Sequence, residues 1–257
     1  MQPDHLSYTQ LSTYMKCPLQ YRFAYSDCLP REQEPAALPF GSAIHCVLGD
    51  YYRALARRHP LTEEQVLSIF EKEWGIASHT PLIAWNGTSA EKLMEQGKEM
   101  LRAYLSSNQP QRVVSVEHLF SIPVTVNGWS IDLIGSFDLV MEDEEGNLVI
   151  VDHKTASRRY SQSRIDEDLQ FTVYSLAAEH EFPNGSDPLL RYDVLLKTTK
   201  PDVVRYHTIR TQTDRQRLIW TMDGILSGIQ AEAFFPNPGY YCKGCMWERA
   251  CQRWGQS

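Results

Sequence analysis

The chain has no apolar run approaching the roughly 20 residues of a membrane span, so a membrane protein of helical type is not expected. Its first residues, Met1-Gln2-Pro3-Asp4-His5, hold no basic segment followed by an apolar one. The expectation is therefore a chain without a signal peptide, in the cytoplasm and with no membrane partner. Internal repeats and low-complexity tracts are absent, which sets aside solenoids and disordered tails. Positive charge is also short: 25 Lys and Arg stand against 32 Asp and Glu, a formal net charge of −7. That balance disfavours a protein that coats nucleic acid. It leaves room for one that meets phosphate with a local basic surface. Cysteine is scarce, and three of the six, Cys242, Cys245 and Cys251, crowd near the C-terminus. In a reducing compartment they are not expected to form structural disulfides.

What is present is enough apolar material for a large core, 42% of 257 residues. One domain spanning residues 1–257 is expected. Ser7-Tyr8-Thr9-Gln10 reads as a helix start, with Cys17-Pro18 as a break. Residues 27–39 read as a loop, and Ser42 caps a helix carrying Ile44, Val47, Leu48, Tyr51 and Leu55. Thr62-to-Gln65 and Thr88-to-Glu91 open two amphipathic helices, so residues 60–108 read as a helical insertion. A meander of three strands follows: Val113–Val126, Ser130–Met141 and Leu148–Lys154, with Asn127-Gly128 as a hairpin turn. Then come a helix over Ile165–Glu181, strands Arg191–Thr198 and Val203–Thr211, and a helix over Thr213–Ala233.

The meander brings charged residues together. Antiparallel pairing across the turn at Glu142–Asn147 sets Asp138 beside Asp152. Asp152 and Lys154 are two apart, so they share a face. Two carboxylates and an ammonium can thus converge at the end of an apolar strand. Carboxylate oxygens suit a hard cation, and a metal with its water plus a lysine is what phosphodiester hydrolysis requires. Taken singly, Asp-x-Lys reads as solvated charge at a strand end, and His45 as a packing or capping histidine.

Gly135-x-x-Asp138, Asp152-x-Lys154 and Gln170-x-x-x-Tyr174 resemble, in that order, motifs of the PD-(D/E)XK nucleases, RecB-like branch. Gly41-x-x-x-His45 resembles that branch's helical histidine motif, and Ser7 to Cys17-Pro18 its opening helix. The resemblance implies an α/β, restriction-endonuclease-like fold: a mixed sheet of about five strands flanked by helices, with a helical insertion. It implies a metal-dependent deoxyribonuclease, an exonuclease on single strands or DNA ends, serving recombination, repair, phage DNA processing or CRISPR adaptation. A helicase or a CRISPR integrase is the implied class of protein partner. His45, Asp138 and Asp152 would bind Mg²⁺ or Mn²⁺, with the backbone carbonyl of His153 as a further ligand. Lys154 would be the catalytic lysine, and Gln170 and Tyr174 would position lysine or substrate. Glu117 reads equally as a strand-surface glutamate and stays outside this set.

Three clustered cysteines and one remote cysteine, Cys17, are an arrangement used for iron–sulfur clusters, whereas zinc more often takes two close pairs. The resemblance, here to AddB-type domains and iron–sulfur nucleases of CRISPR adaptation, implies a 4Fe-4S cluster on Cys17, Cys242, Cys245 and Cys251. Residues 236–254 with Cys17 would form the cluster region, stapling both termini. Cys28 and Cys46 read as free thiols. The loop after the third strand carries Arg158, Arg159, Tyr160 and Arg164, able to meet phosphates and a base, with Lys197 and Lys200 as additional cations. Two rival readings remain: a non-catalytic nucleic-acid-binding or adaptor module on the same fold, and a zinc-stabilised interaction protein whose carboxylates are surface charges.

Overall fold

The computed structural model describes residues 3–107, 112–126, 128–183 and 187–255. Asn127 of the expected hairpin turn and residue 108 at the end of the expected insertion lie outside them. Strand β1 (His5–Ser7) runs into α1 (Tyr8–Lys16), where Ser7 Oγ accepts the Gln10 N–H at 3.3 Å. Cys17 is extended, and Pro18 then opens α2 (Pro18–Tyr21), a first-turn position where its missing N–H costs nothing. A π-helical turn, Arg22–Ser26, completes the segment. Strand β2 (Glu34–Pro35) pairs with β3 (Ile83–Ala84) in a small separate ribbon. Helices α3 (Ala37–Ala56) and α4 (Glu63–Ala77) lie between them, and α5 (Ala90–Ser107) follows. The long strands come next: β4 (Arg112–Val126), β5 (Trp129–Glu142) and β6 (Leu148–Ala156). Helices α6 (Gln162–Asp166) and α7 (Leu169–Glu181) lead to β7 (Leu189–Leu196), β8 (Val203–Thr208) and α8 (Gln212–Gln230). The tail holds a 3₁₀ turn, Tyr240–Cys242, and α9 (Glu248–Arg253).

Three expected helix starts move. The second helix begins at Ala37 rather than after Ser42, taking Pro39 into its first turn, where no intrahelical donor is lost. The helix expected from Ile165 to Glu181 is two helices. Asp168 interrupts it by turning extended and accepting the Gln170 N–H at 2.9 Å as an N-cap. In the α5 start the capping oxygen comes from Ser89, on the Lys92 N–H, not from Thr88.

The central sheet is mixed, with five long strands in the order β4-β5-β6-β7-β8 and the three-residue β1 beside β5. Strands β6 and β7 are parallel; β4-β5, β5-β6 and β7-β8 are antiparallel. Strand β4 runs along one edge of β5. The other edge is shared: β1 pairs over Asp132–Ile134 and β6 over Leu139–Glu142. Gly135 to Asp138 therefore sits where the sheet splits. Gly135 has a steric cause there, because a Cβ would lie 2.4 Å from the Phe120 ring. No helix among the described residues is long and apolar enough to cross a membrane.

The sheet separates two cores. Helices α1, α7 and α8 pack on one face, around Phe137, Ile150, Phe171 and Met222. Helices α3, α4 and α5 pack on the other, around Leu139, Val149, Val151 and Phe70. Alternation then assigns β6: Asp152 and Lys154 point to the α7 side with Ile150, and His153 points to the α3–α5 side with Val151. Strand β5 breaks alternation at one place. Phe137 and Leu139 are two apart, yet they belong to opposite cores. Strand β4 switches opposite, where Glu117 takes a left-handed φ of 51° and leaves its position opposite Asp138 unpaired while the register continues on both sides. The switch puts Asp138 at the split, within reach of groups from the α3–α5 layer.

Candidate active site

On the α7 face, Asp152 is almost fully buried. Its Oδ1 accepts hydrogen bonds from Gln170 Nε2 (2.7 Å) and Tyr174 OH (3.0 Å). Lys154 Nζ lies 2.7 Å from Asp152 Oδ2. That contact is out of hydrogen-bond alignment, so Oδ2 is left a buried oxygen without an aligned donor. Lys154 donates instead to Gln170 Oε1 at 2.9 Å, and Tyr192 OH reaches the same oxygen at 3.4 Å. The other Gln170 amide proton goes to Tyr174 OH at 2.9 Å. One glutamine thus holds lysine, carboxylate and tyrosine together. Burial raises the Asp152 carboxyl above the usual range, and the neighbouring Asp138 adds to this against the pull of Lys154. Burial would lower the Lys154 ammonium, but Asp152 more than offsets it and raises it.

Asp138 gathers the other face. Its Oδ2 accepts the His153 backbone N–H at 2.8 Å, and His45 Nδ1 from α3 lies 3.1 Å away. Burial alone would raise the Asp138 carboxyl; hydrogen bonds from His153 and His45 hold it well below the ordinary range. Burial would lower His45, but its bond to Asp138 raises it. The expected residues His45, Asp138, Asp152, Lys154, Gln170 and Tyr174 are therefore brought together. Among the described residues no three His, Cys, Asp or Glu side chains are arranged around an ion position. In this state the groups are paired with one another: His45 with Asp138, and Lys154 with Asp152. The donor set still fits a hard divalent cation: two carboxylates and an imidazole, with Asp152 Oδ2 held by the Lys154 ion pair alone.

A cleft of about 820 Å³ opens onto this centre, lined by His45, Arg53, Glu117, Lys154, Thr155 and Lys197 among others. Lys197 lies against the Phe40 ring, 5.5 Å from its centroid, and burial lowers its ammonium. Glu117 faces the same cleft, and burial with Asp138 nearby raises its carboxyl. The loop after β6 divides its expected contacts. Arg158 is exposed. Arg159 is paired with Asp202 at 2.6 Å. Tyr160 stacks on Tyr206 and carries the Arg164 guanidinium 4.1 Å from its ring centroid. With both neighbours in place, Tyr160 is a platform for Arg164 more than an open stacking face. Lys200 is exposed beyond β7.

Far from this centre, Cys17, Cys242, Cys245 and Cys251 line one cavity of about 410 Å³ between α2 and the tail. Burial raises the Cys245 and Cys251 thiols, with the other cysteines adding to the effect at Cys251. Gly239 N–H donates to Cys242 Sγ at 3.3 Å. Cys28 and Cys46 are exposed free thiols away from that cavity.

Sequence reasoning missed a buried polar group behind the site. Tyr104 falls on the apolar face of α5, yet its hydroxyl meets Tyr52, His153 and Asp193. A signal was available: Arg191 and Asp193, two apart in an otherwise apolar strand, are opposite charges on one buried face. Tyr8 was missed as well. Its hydroxyl is pushed up to about 12 by burial and by Asp168, within the field of Lys154 and Asp152.

Comparison with known proteins bears on the family and the fold. The chain is 25% identical over 276 residues to the Gene 69 protein of Mycobacterium phage L5, covering 90% of each. Its fold is similar to the crystal structure of a presumptive exonuclease from Eubacterium rectale, at a TM-score of 0.52 and 12% identity, over 94% of this chain and 87% of the other. The signature of the PD-(D/E)XK nuclease superfamily matches residues 5–252, and the chain belongs to that superfamily.

Proposed function

We propose that this nuclease is a metal-dependent deoxyribonuclease of the RecB-like branch, acting exonucleolytically on single strands or DNA ends. The observation that carries the reading is the closed network of Asp152, Lys154 and Gln170, with Asp138 beside it at the split in the sheet on the His153 backbone N–H. His45, Asp138, Asp152 and the His153 carbonyl would hold Mg²⁺ or Mn²⁺. Such an ion, when bound, polarises a phosphate oxygen and acidifies its water. The chain supplies the rest. Gln170 and Tyr174 keep Asp152 oriented, and Gln170 aims Lys154. Lys154, held charged, is placed to stabilise the charge developing on phosphate. Lys197, Arg53, Arg158 and Arg164 are the local cations that offset the chain's negative balance. Leu38 and Leu119 stand exposed at the rim of the same cleft, and unstacked bases suit such apolar contacts better than duplex does. The phage relative favours phage DNA processing among the candidate settings, and the exonuclease name of the structural neighbour agrees with end-directed cutting.

The reading extends to a structural 4Fe-4S cluster on Cys17, Cys242, Cys245 and Cys251. The support is that four thiols from the two ends of the chain surround one cavity of several hundred cubic ångströms. The Gly239 donor on Cys242 is the kind of hydrogen bond that tunes cluster sulfurs.

The test is an anaerobic assay with Mg²⁺ or Mn²⁺ on end-labelled single and double strands, with free and blocked ends. Cleavage of free-ended single strands is expected. Lys154→Ala is expected to lower it by roughly 10²–10³, as for other electrostatic groups at a reacting centre. Cleavage unchanged in that variant would overturn the mechanism. A colourless, iron-free protein purified without oxygen would overturn the cluster.

A further inference from the structure

The polar group behind the site has a directional hydrogen-bond pattern. Asp193 of β7 is completely buried. Arg191 Nε approaches its Oδ1 to 2.8 Å outside hydrogen-bond alignment, Arg191 Nη2 donates to Oδ2 at 3.2 Å, and Arg205 Nε lies 3.6 Å from Oδ2. Between two guanidinium groups this carboxylate accepts only. Tyr104 OH therefore donates its single proton to Asp193 Oδ2, at 3.1 Å. The Tyr104 oxygen is left to accept. It receives the Tyr52 hydroxyl at 2.6 Å and His153 Nε2 at 3.1 Å. Proton counting thus places a hydrogen on His153 Nε2.

That bond fixes more than a ring. His153 lies between Asp152 and Lys154 and points to the opposite face of β6. Its backbone N–H holds Asp138 Oδ2 at 2.8 Å, while its ring Nδ1 stands at 3.7 Å from the same oxygen, beyond direct hydrogen-bond distance. The ring is also packed by Tyr52, at 5.9 Å between centroids and near parallel, and edge-on by Tyr104 at 5.7 Å. Anchoring it on the α3–α5 side sets the roll of β6 about its axis. The roll in turn decides where Asp152 and Lys154 point and where the His153 peptide meets Asp138.

The geometry points to Tyr104, backed by Asp193, as a positioning residue: through His153 it holds the carboxylates in the arrangement that takes the divalent ion. It follows that α5 serves the active centre and is not an independent appendage. The inference rests on the metal-dependent reading above.

The experiment measures Mn²⁺ binding by calorimetry and electron paramagnetic resonance, without DNA, on the full chain. The wild type, Asp138→Ala and Tyr104→Phe are compared, with far-UV circular dichroism as the fold check. Tyr104→Phe keeps the ring and removes only the hydroxyl. It is expected to weaken Mn²⁺ by about 10–100-fold, as outer-shell substitutions do, and to broaden the bound-Mn²⁺ spectrum. Asp138→Ala is expected to abolish binding. Nitrogen-15 spectra of the wild-type histidines add a measurement that needs no variant: His153 should carry its proton on Nε2. Wild-type Mn²⁺ affinity in a folded Tyr104→Phe, or a His153 proton on Nδ1 alone, overturns the positioning role while leaving the nuclease reading intact. Unchanged Mn²⁺ binding in Asp138→Ala overturns the metal reading and this inference with it.

Discussion

The catalytic centre and the cysteine cavity solve opposite problems. At the centre, nearly every polar atom has a partner supplied by the chain: Asp138 by His45 and His153, Asp152 by Gln170 and Tyr174, Lys154 by Gln170. In the cysteine cavity the partners are backbone groups alone among those described: Gly239 N–H on Cys242 and Trp247 N–H on Cys245. The first region is shaped by the fold before anything binds. The second, under the proposed cluster, would depend on what it binds for its order. Burial has different uses in the two places. At the centre it strengthens short charged contacts. In the tail, Leu19, Phe23 and Trp247 form only a small satellite core, too small to hold α9 firmly by itself.

The sharpest way to break the first region is Gln170→Leu. That change removes the acceptor for Lys154 and a donor to Asp152 while keeping side-chain volume. About 10² of cleavage rate is expected to go, since two charge-assisted hydrogen bonds of roughly 1.5–3 kcal/mol each lose their common partner. The kinetic signature is a lower kcat with little change in KM, because the groups affected meet the reacting phosphate. A loss confined to KM would show that Gln170 binds substrate and does not orient the lysine.

Acidity gives the next effect. His45 is raised above 6.5 by Asp138, and Asp152 is raised by burial. Because the folded pKa of His45 exceeds the unfolded value, its pairing with Asp138 stabilises the metal-free protein fully below pH ~6.5. That contribution fades as pH rises through the raised value. Metal binding must displace the same proton. Mn²⁺ affinity is therefore expected to climb by up to about tenfold per pH unit across that window, while metal-free stability declines. Titrations of both quantities between pH 5.5 and 8.5 check the opposite signs; parallel trends would remove His45 from the ligand set.

Much of the centre was legible because its signals are local. Asp152 and Lys154 are two apart on a strand, and Gln170 and Tyr174 one turn apart on a helix, so period alone gives their faces. The apolar Val149-Ile150-Val151 run fixed β6, and the acidic turn after β5 set the pairing that brings Asp138 next to Asp152. What stayed hidden depends on distance in sequence or on an irregular backbone. The face switch at Glu117 and Asp138 needs a left-handed glutamate that no propensity favours. Tyr104 reaches His153 across 49 positions and from the apolar face of an amphipathic helix. The split of the expected 165–181 helix at Asp168 was missed because an N-cap aspartate also reads as an exposed helix residue. The β1 strand is only three residues long and carries no alternation to detect.

The smallest effect on chemistry, and the clearest separation of the two regions, should come from Cys251→Ala. The cavity thiols sit at the junction of α1 and α2 and in the tail, whereas the hydrogen bonds of the proposed catalytic centre run between β5, β6, α3 and α7. Neither set of contacts passes through the other. Loss of one thiol is expected to remove bound iron and to leave residues 236–254 open to proteolysis. The thermal midpoint should fall by about 5 °C or more, or ~2 kcal/mol at the ~2–4 °C per kcal/mol typical of chains this long. Cleavage per folded molecule should stay within about twofold of wild type, since the electrostatics acting on the phosphate are unchanged. A fall in kcat matching that of Gln170→Leu, at a temperature where the variant is folded, would mean the cavity group is coupled to the reacting centre. The path for such coupling would be α1, which joins Cys17 to Tyr8 and so to the field of Lys154.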